Sequence, residues 1–97
     1  MFRHVVLLRW VAGATEAQRS HVEAGLAELP GVIPELRGYQ FGADVHMSEG
    51  NYDLAVVADF DDVAGYLVYR DHPAHVAVIT ERIRPILADR AAVQHEI

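Results

Sequence analysis

The stretch YLVYRDHPAH at residues 66–75 decides how the second half of the chain folds. Pro73 has no amide hydrogen and disfavours helix in the residue before it, yet it suits the first turn of a new helix. The stretch therefore predicts two consecutive helices that meet at His72. It also gathers aromatic hydroxyls and imidazoles on helical backbone, which points to a small-molecule pocket.

The segments around this stretch alternate between strand and helix signals. Asp61 or Asp62 can cap the first of the two helices. The second has apolar residues at helical spacing before Pro85 ends it, which predicts an inner face made of Val76, Ile79 and Ile83. Alternating segments at residues 52–60 and 88–97 predict a strand on each side of the helix pair.

The first half of the chain repeats the pattern. Residues 2–11 alternate as a strand that is apolar on both faces in its middle, and residues 39–44 alternate as another strand. Between them, Thr15 and Gln18 form a capping-box pattern at the start of an amphipathic helix that ends at Pro30. Residues 46–51 read as a polar loop, in which Gly50 and Asn51 can adopt positive φ.

This element order predicts an α+β, ferredoxin-like βαββαβ fold with a four-stranded antiparallel sheet, formed by residues 1–97 as a single domain. The helices cover one sheet face only. Because the first and third strands are apolar on both sides, we expect a second copy of the sheet to cover the other face in a homodimer. Burying several hundred Å² there is worth on the order of 10 kcal/mol before association costs.

Composition excludes several classes of protein. A net charge of −6 without a basic cluster is atypical of nucleic-acid binding proteins. No apolar run is long enough to span a membrane, the first residues do not resemble an export signal, and the chain has no cysteine. These features predict a cytoplasmic protein. No spacing of histidines indicates a metal site, so we expect neither a metal nor another cofactor.

The candidate site residues lie where the sheet meets the helices. His75 shares a helix face with Ile79, so its imidazole should point inward, where it could act as a general base. Tyr69 could polarise a carbonyl oxygen beside it. These two are the candidate catalytic residues, and the expected pocket lining comprises His4, Val6, Leu8, Leu54, Val56, Tyr66, His72 and Ile79.

Each of these residues also has a structural interpretation. His72 could simply begin the helix at Pro73, and His75 could be a half-buried histidine with its hydrogen bonds satisfied. Tyr66 and Tyr69 could be core aromatic residues with tethered hydroxyls, and His4 could be structural. The residues alone leave both interpretations open.

Five segments in matching order resemble the stress-responsive A/B barrel (Dabb) family: RHVVLLRW at 3–10, LPGVIP at 29–34, NYDLA at 51–55, YRDHPAH at 69–75 and RP at 84–85. The resemblance covers essentially the whole chain. It implies a dimeric α+β barrel formed by the sheets of two protomers. A monooxygenase built on the same barrel plan fits these motifs less well.

The resemblance also implies functions for individual residues. The family includes stress-induced proteins with no assigned reaction, and polyketide cyclases that close rings by aldol condensation without a cofactor. Tyr69 and His75 match the positions that carry the cyclase chemistry, and His4 matches the family's first-strand histidine. Gln94 stands where the cyclases have a supporting aspartate, and Leu54 where they have a histidine. The implied ligand is a small aromatic or polyketide-like molecule.

Overall fold

The computed structural model describes all residues from 1 to 97. Its main elements are β1 (Phe2–Trp10), α1 (Glu16–Glu28), β2 (Gly38–Ala43), β3 (Leu54–Phe60), α2 (Val63–Asp71), α3 (Pro73–Val78) and β4 (Leu87–Glu96). The strands form one antiparallel sheet in the order β2-β3-β1-β4. The predicted ferredoxin-like α+β fold is therefore confirmed. No helix has the length and apolar character needed to cross a membrane.

Side chains fix where the helices begin. The Thr15 hydroxyl accepts from the Gln18 amide nitrogen, and the Gln18 side chain accepts from the Thr15 amide nitrogen, so the predicted capping box is formed. The cap of α2 is Asp62, whose carboxylate accepts from the Gly65 amide nitrogen at 3.0 Å. At His72 the backbone is extended, with ψ of 133°, and this residue separates α2 from α3.

A side-chain contact shortens the third strand relative to the predicted range. The Trp10 amide nitrogen donates to the Asp53 carboxylate at 2.8 Å instead of to a backbone carbonyl. Regular pairing between β1 and β3 therefore stops at Leu8 and Leu54. Tyr52 and Asp53 belong to the preceding loop, where Gly50 has the positive φ of 82° that glycine tolerates best.

The two faces of the sheet differ in what covers them. The covered face, packed against the helices, includes Phe2, His4, Leu8 and Trp10 of β1, all of which are buried. On β3, Leu54, Val56, Ala58 and Phe60 are buried on the same face. The alternate residues form the bare face, which no other part of the chain covers; its apolar members are Val5, Leu7, Ala55, Val57, Ala91 and Val93.

The segment after α3 departs from the predicted helix. The regular α-helix ends at Val78, and residues Ile79–Ile83 form a wider π-helical turn before a 3₁₀ turn at Arg84–Ile86. The prediction that Val76 faces inward is wrong: Val76 is exposed, whereas Val78 is buried. Because the widened turn rotates the chain, Ile83 and Ile86 still reach the core.

Candidate functional site

A cavity of about 360 Å³ lies between the covered face and the helices. This volume is at the small end of the range for ligand pockets. Its wall is mostly apolar deep inside, and three arginines stand at the exposed side. The lining residues are His4, Val6, Leu8, Leu26, Val56, Tyr66, Tyr69, Arg70, His75, Ile79, Ile83, Arg84, Leu87 and Arg90.

His75 enters the cavity from α3. Its Nδ1 atom lies 3.1 Å from the carbonyl oxygen of Arg70. Because a carbonyl can only accept, Nδ1 carries the proton and Nε2 keeps its lone pair. Burial lowers the pKa of His75, and the bond to the Arg70 carbonyl opposes that shift. At neutral pH this imidazole is therefore a neutral base with a free Nε2.

The ring of Tyr69, on α2, packs against the ring of His75. The two ring centroids are 4.0 Å apart and the ring planes are tilted by 31°. The Tyr69 hydroxyl lies 3.3 Å from the Tyr39 hydroxyl, and burial raises the pKa of Tyr69, which keeps the phenol protonated. If Tyr39 is the donor in this pair, the proton of Tyr69 is available to a ligand.

The cavity wall holds a second polar group around His4 on β1, which forms the His4 end of the cavity, whereas the group around His75 forms the His75 end. The Gln94 Nε2 atom on β4 lies 3.0 Å from His4 Nδ1 and also donates to the Tyr66 hydroxyl at 3.1 Å. Because an amide nitrogen only donates, His4 Nδ1 must accept, which places the His4 proton on Nε2. Burial, together with the nearby charge of Arg90, lowers the pKa of His4 to about 4.

The cavity thus contains neutral imidazoles in two different tautomers. His75 presents a lone pair on Nε2, whereas His4 carries a proton on Nε2. A base and a neutral hydrogen-bond donor in one apolar space are suited to moving a proton from carbon while a carbonyl oxygen gains negative charge. No group of three or more His, Asp or Glu side chains is placed to hold a metal ion.

Most of the predicted site residues meet in this cavity, but two do not. Leu54 is buried at the first position of β3, and it lines a different cavity of about 330 Å³ with Trp10 and Asp53. His72 is occupied at the start of α3, where its Nδ1 accepts from the Ala74 amide nitrogen at 3.1 Å. The prediction that these two residues line the pocket is therefore wrong.

Some contributors were not anticipated from the sequence, and one has a different partner. Tyr39 reaches the Tyr69 hydroxyl from β2, although its spacing indicated only a strand residue. Gln94, which stands where the resemblance places a supporting aspartate, bonds His4 and Tyr66 and makes no bond to His75. The three arginines, Arg70, Arg84 and Arg90, were also missed. Strand alternation could have indicated Arg90, because it shares a face with Gln94 four residues later.

The fold and the cavity define a ferredoxin-like protein with a small-molecule-sized cavity between its sheet and helices. Residues 2–97 match the sequence model of the stress responsive A/B barrel domain, Dabb. The chain therefore belongs to the Dabb family.

Known proteins similar to this chain include an enzyme and a dimer without an assigned function. Olivetolic acid cyclase from Cannabis sativa is 30% identical over 76 residues, which cover 76% of this chain and 75% of the cyclase. A dimeric ferredoxin-like protein of unknown function from Thermobifida fusca is 48% identical, with a TM-score of 0.91 over 99% of this chain and 90% of that protein.

A third similar protein is named for a different reaction. Hydroxynitrile lyase from Passiflora edulis has a TM-score of 0.86 at 20% identity, covering 99% of this chain and 92% of the lyase. At that identity the similarity concerns the fold alone.

Proposed function

We propose that this protein is a homodimer whose cavity binds a small carbonyl-bearing molecule and catalyses its cyclisation or isomerisation without a cofactor. In this proposal the Nε2 atom of His75 takes a proton from a carbon next to a carbonyl. The carbonyl oxygen becomes an enolate oxygen, to which Tyr69 donates a hydrogen bond. The enolate carbon then attacks a second carbonyl of the same molecule, as in an aldol ring closure, and the alkoxide that forms takes the proton back from Nε2 of His75.

The observation that carries this proposal is the bond between His75 Nδ1 and the Arg70 carbonyl oxygen at 3.1 Å. It leaves the lone pair on Nε2 and holds the ring in one orientation within an apolar cavity. The lowered pKa of His75 keeps that lone pair unprotonated at neutral pH. The similarity to olivetolic acid cyclase supports a polyketide-like substrate class.

Turnover of a 3,5-dioxo thioester, in buffer without metal or cofactor, tests the reaction. His75→Gln should lower kcat by about 10²- to 10⁴-fold, the usual contribution of a general base, because glutamine has no basic nitrogen. His21→Gln, an exposed substitution on α1, is the matched control and should leave turnover unchanged. The wild-type rate should fall as pH drops through the pKa of His75. Equal turnover by wild type and His75→Gln would refute the role of His75.

A second candidate function is small-molecule binding without a reaction, as in a stress-protective protein. The contact between the Tyr69 and Tyr39 hydroxyls favours it, because that contact can occupy the only proton of Tyr69. An NMR titration of His75 with the same thioesters separates the two functions. A shift of the His75 resonances with no product would support binding alone, and neither shift nor product would refute both functions.

The homodimer part of the proposal rests on the bare face. Its centre is apolar, and Val93 there is 62% exposed. Ion pairs flank this apolar centre: Arg3 with Asp59 at 2.7 Å, and Arg9 with Asp89 at 3.9 Å. An apolar centre with a charged rim is the usual anatomy of a protein interface. The similar protein from Thermobifida fusca is described as dimeric.

Paired substitutions test which face forms the dimer. Val93→Asp would place a carboxylate in the centre of the bare face, so sedimentation should show a monomer. Val68→Asp introduces the same charge at an exposed position on α2, where Val68 is 45% exposed, and should leave a dimer. A Val93→Asp protein that remains dimeric would show that the bare face is not the interface.

A further inference from the structure

The basic residues of this chain are unevenly engaged. All eight are arginines. Six of their guanidinium groups are held by other parts of the chain: Arg3 by Asp59, Arg9 by the Gly50 carbonyl, Arg19 by the Ala14 carbonyl, Arg37 by Asp61, Arg70 by Asp71 and Arg82 by the His21 carbonyl. Only Arg84 and Arg90 make no side-chain hydrogen bond or ion pair, and both line the cavity that contains His75.

No acidic residue of the cavity wall balances the charges of Arg84 and Arg90. The chain has 14 acidic residues and a net charge of −6, yet no Asp or Glu lines the cavity. The charge of Arg90 also reaches the interior, since it contributes to the lowered pKa values of both His4 and His75. This side of the cavity therefore carries positive charge that the protein does not neutralise.

The positions of the two arginines suggest how a ligand would lie. Arg84 comes from the 3₁₀ turn after the π-helical segment, and Arg90 comes from β4 opposite Leu8, so two separate elements supply the charges. Both are exposed, whereas the deeper wall, including Leu8 and Val56, is buried. A ligand would therefore have its anionic group at the mouth and an apolar or carbonyl-bearing body inside.

We propose that the cavity takes a small organic acid, whose carboxylate is bound by Arg84 and Arg90. Planar guanidinium groups match carboxylate oxygens and form strong charge-assisted hydrogen bonds. No glycine lines the cavity, so the mouth lacks the glycine-rich backbone loop that typically cradles phosphates. This inference rests on the proposed function of the cavity as a ligand site, and it names the chemical class of that ligand.

Matched acids and amides test the proposal on the intact protein. The first pair is 4-phenylbutyrate and 4-phenylbutanamide, and further pairs vary the tail from alkyl to naphthyl. Calorimetry should show at least one acid binding about tenfold more tightly than its amide, as expected for a hydrogen bond to a charged group. Added salt should weaken binding of the acid, because the arginines are exposed to solvent.

Substitutions assign the preference to the two arginines. Arg84→Gln and Arg90→Gln should each weaken acid binding about tenfold and leave amide binding unchanged. Arg37→Gln removes the same charge at an exposed position outside the cavity and should change neither affinity. A similar loss in Arg37→Gln would overturn the proposal in favour of a general charge effect.

The remaining outcomes separate this inference from the proposed function. Amides that bind as tightly as their acids and shift the His75 resonances would overturn the carboxylate anchor while leaving the ligand site in place. No detectable binding of any acid or amide at millimolar concentration by a protein that still binds or converts the 3,5-dioxo thioester would overturn the carboxylate anchor alone, and absence of both would overturn the ligand site as well. A phosphate monoester with the same tail that binds more tightly than the acid would overturn the choice of carboxylate.

Discussion

The two ends of the cavity use the same side chain in opposite ways. At one end, His75 donates from Nδ1 to a backbone carbonyl and keeps a lone pair on Nε2. At the other end, His4 accepts at Nδ1 from Gln94 and carries its proton on Nε2. Both imidazoles are neutral at pH 7, because burial lowers both pKa values. The partner of Nδ1, not the histidine itself, therefore decides whether each end accepts or donates a proton.

The tyrosines next to the two histidines also differ in whether their hydroxyl proton is available to a ligand. Tyr69 packs closely against His75, with ring centroids 4.0 Å apart, and has Tyr39 as its hydroxyl partner. Tyr66 lies 4.9 Å from the His4 ring and accepts from Gln94, so its own proton remains available. The His4 end therefore holds two neutral hydrogen-bond donors, the Tyr66 hydroxyl and His4 Nε2, and the His75 end holds the base.

The largest expected effect concerns the cost of keeping His4 neutral. Its pKa is about 4 in the folded protein and near 6.5 when unfolded, so the unfolded state binds more protons between these values. The free energy of unfolding should therefore fall by about 3 kcal/mol as pH decreases from 6.5 to 4. The lowered pKa of His75 acts in the same direction. Denaturant titrations across this pH range measure the loss.

Substitution isolates the contribution of His4. His4→Gln cannot titrate, so its unfolding free energy should depend much less on pH in this range, whatever its absolute stability. His21→Gln removes an exposed histidine and should keep the wild-type dependence. Asp59, whose pKa is lowered by its bond to Arg3, contributes only at lower pH. An unchanged pH dependence in His4→Gln would show that His4 is not the group responsible.

A smaller effect should follow from exchanging the partner of His4. Gln94→Glu replaces the amide donor with a carboxylate, so His4 Nδ1 would become a donor and the imidazolium would be stabilised by charge. The pKa of His4 should rise by one unit or more, as is usual for a carboxylate next to a histidine.

An NMR titration of the His4 ring measures that shift. Gln18→Glu, which keeps the capping box of α1 and adds the same charge, is the control and should leave the pKa of His4 where it is. If the pKa of His4 does not rise in Gln94→Glu, Gln94 does not set the protonation of His4.

The smallest effect concerns the tyrosine pair at the His75 end. Tyr39→Phe and Tyr69→Phe each remove one partner of a 3.3 Å contact and should each lower the free energy of unfolding by about 1 kcal/mol. The double substitution should cost scarcely more than either one, because the same contact is lost. Additive losses in denaturant unfolding would show that the hydroxyls do not interact.

Much of the fold could be predicted from the sequence because its signals are local. The capping box at Thr15 and Gln18 and the helix break at Pro73 depend on residues only a few positions apart. Alternation in β1 and β3 showed that both sheet faces are apolar. The prediction for Val76 was wrong because a regular helical period was extended through a segment that widens into a π-helical turn.

Part of the membership of the candidate site could be predicted from the sequence. Motif and helix spacing identified Tyr69 and His75, whereas Tyr39, the partner of the Tyr69 hydroxyl, is 30 positions away and reaches it only through packing. Leu54 was misplaced because strand alternation gives the face of a residue but not how far along the strand the cavity extends; Val56, two residues later on the same face, does line it. His72 was misplaced because its ring caps the helix that it precedes.

The sequence by itself determined the order of elements, where the helices begin and the presence of a histidine and tyrosine cluster, because neighbouring residues fix these features. Only the tertiary structure decided where the proton of His4 lies and which arginines face the cavity. His4 and Gln94 are 90 positions apart and meet through the register of β1 and β4. The position of the His4 proton depends on this contact, which arises only when distant segments of the chain pack together, whereas His75 bonds a carbonyl only five residues away.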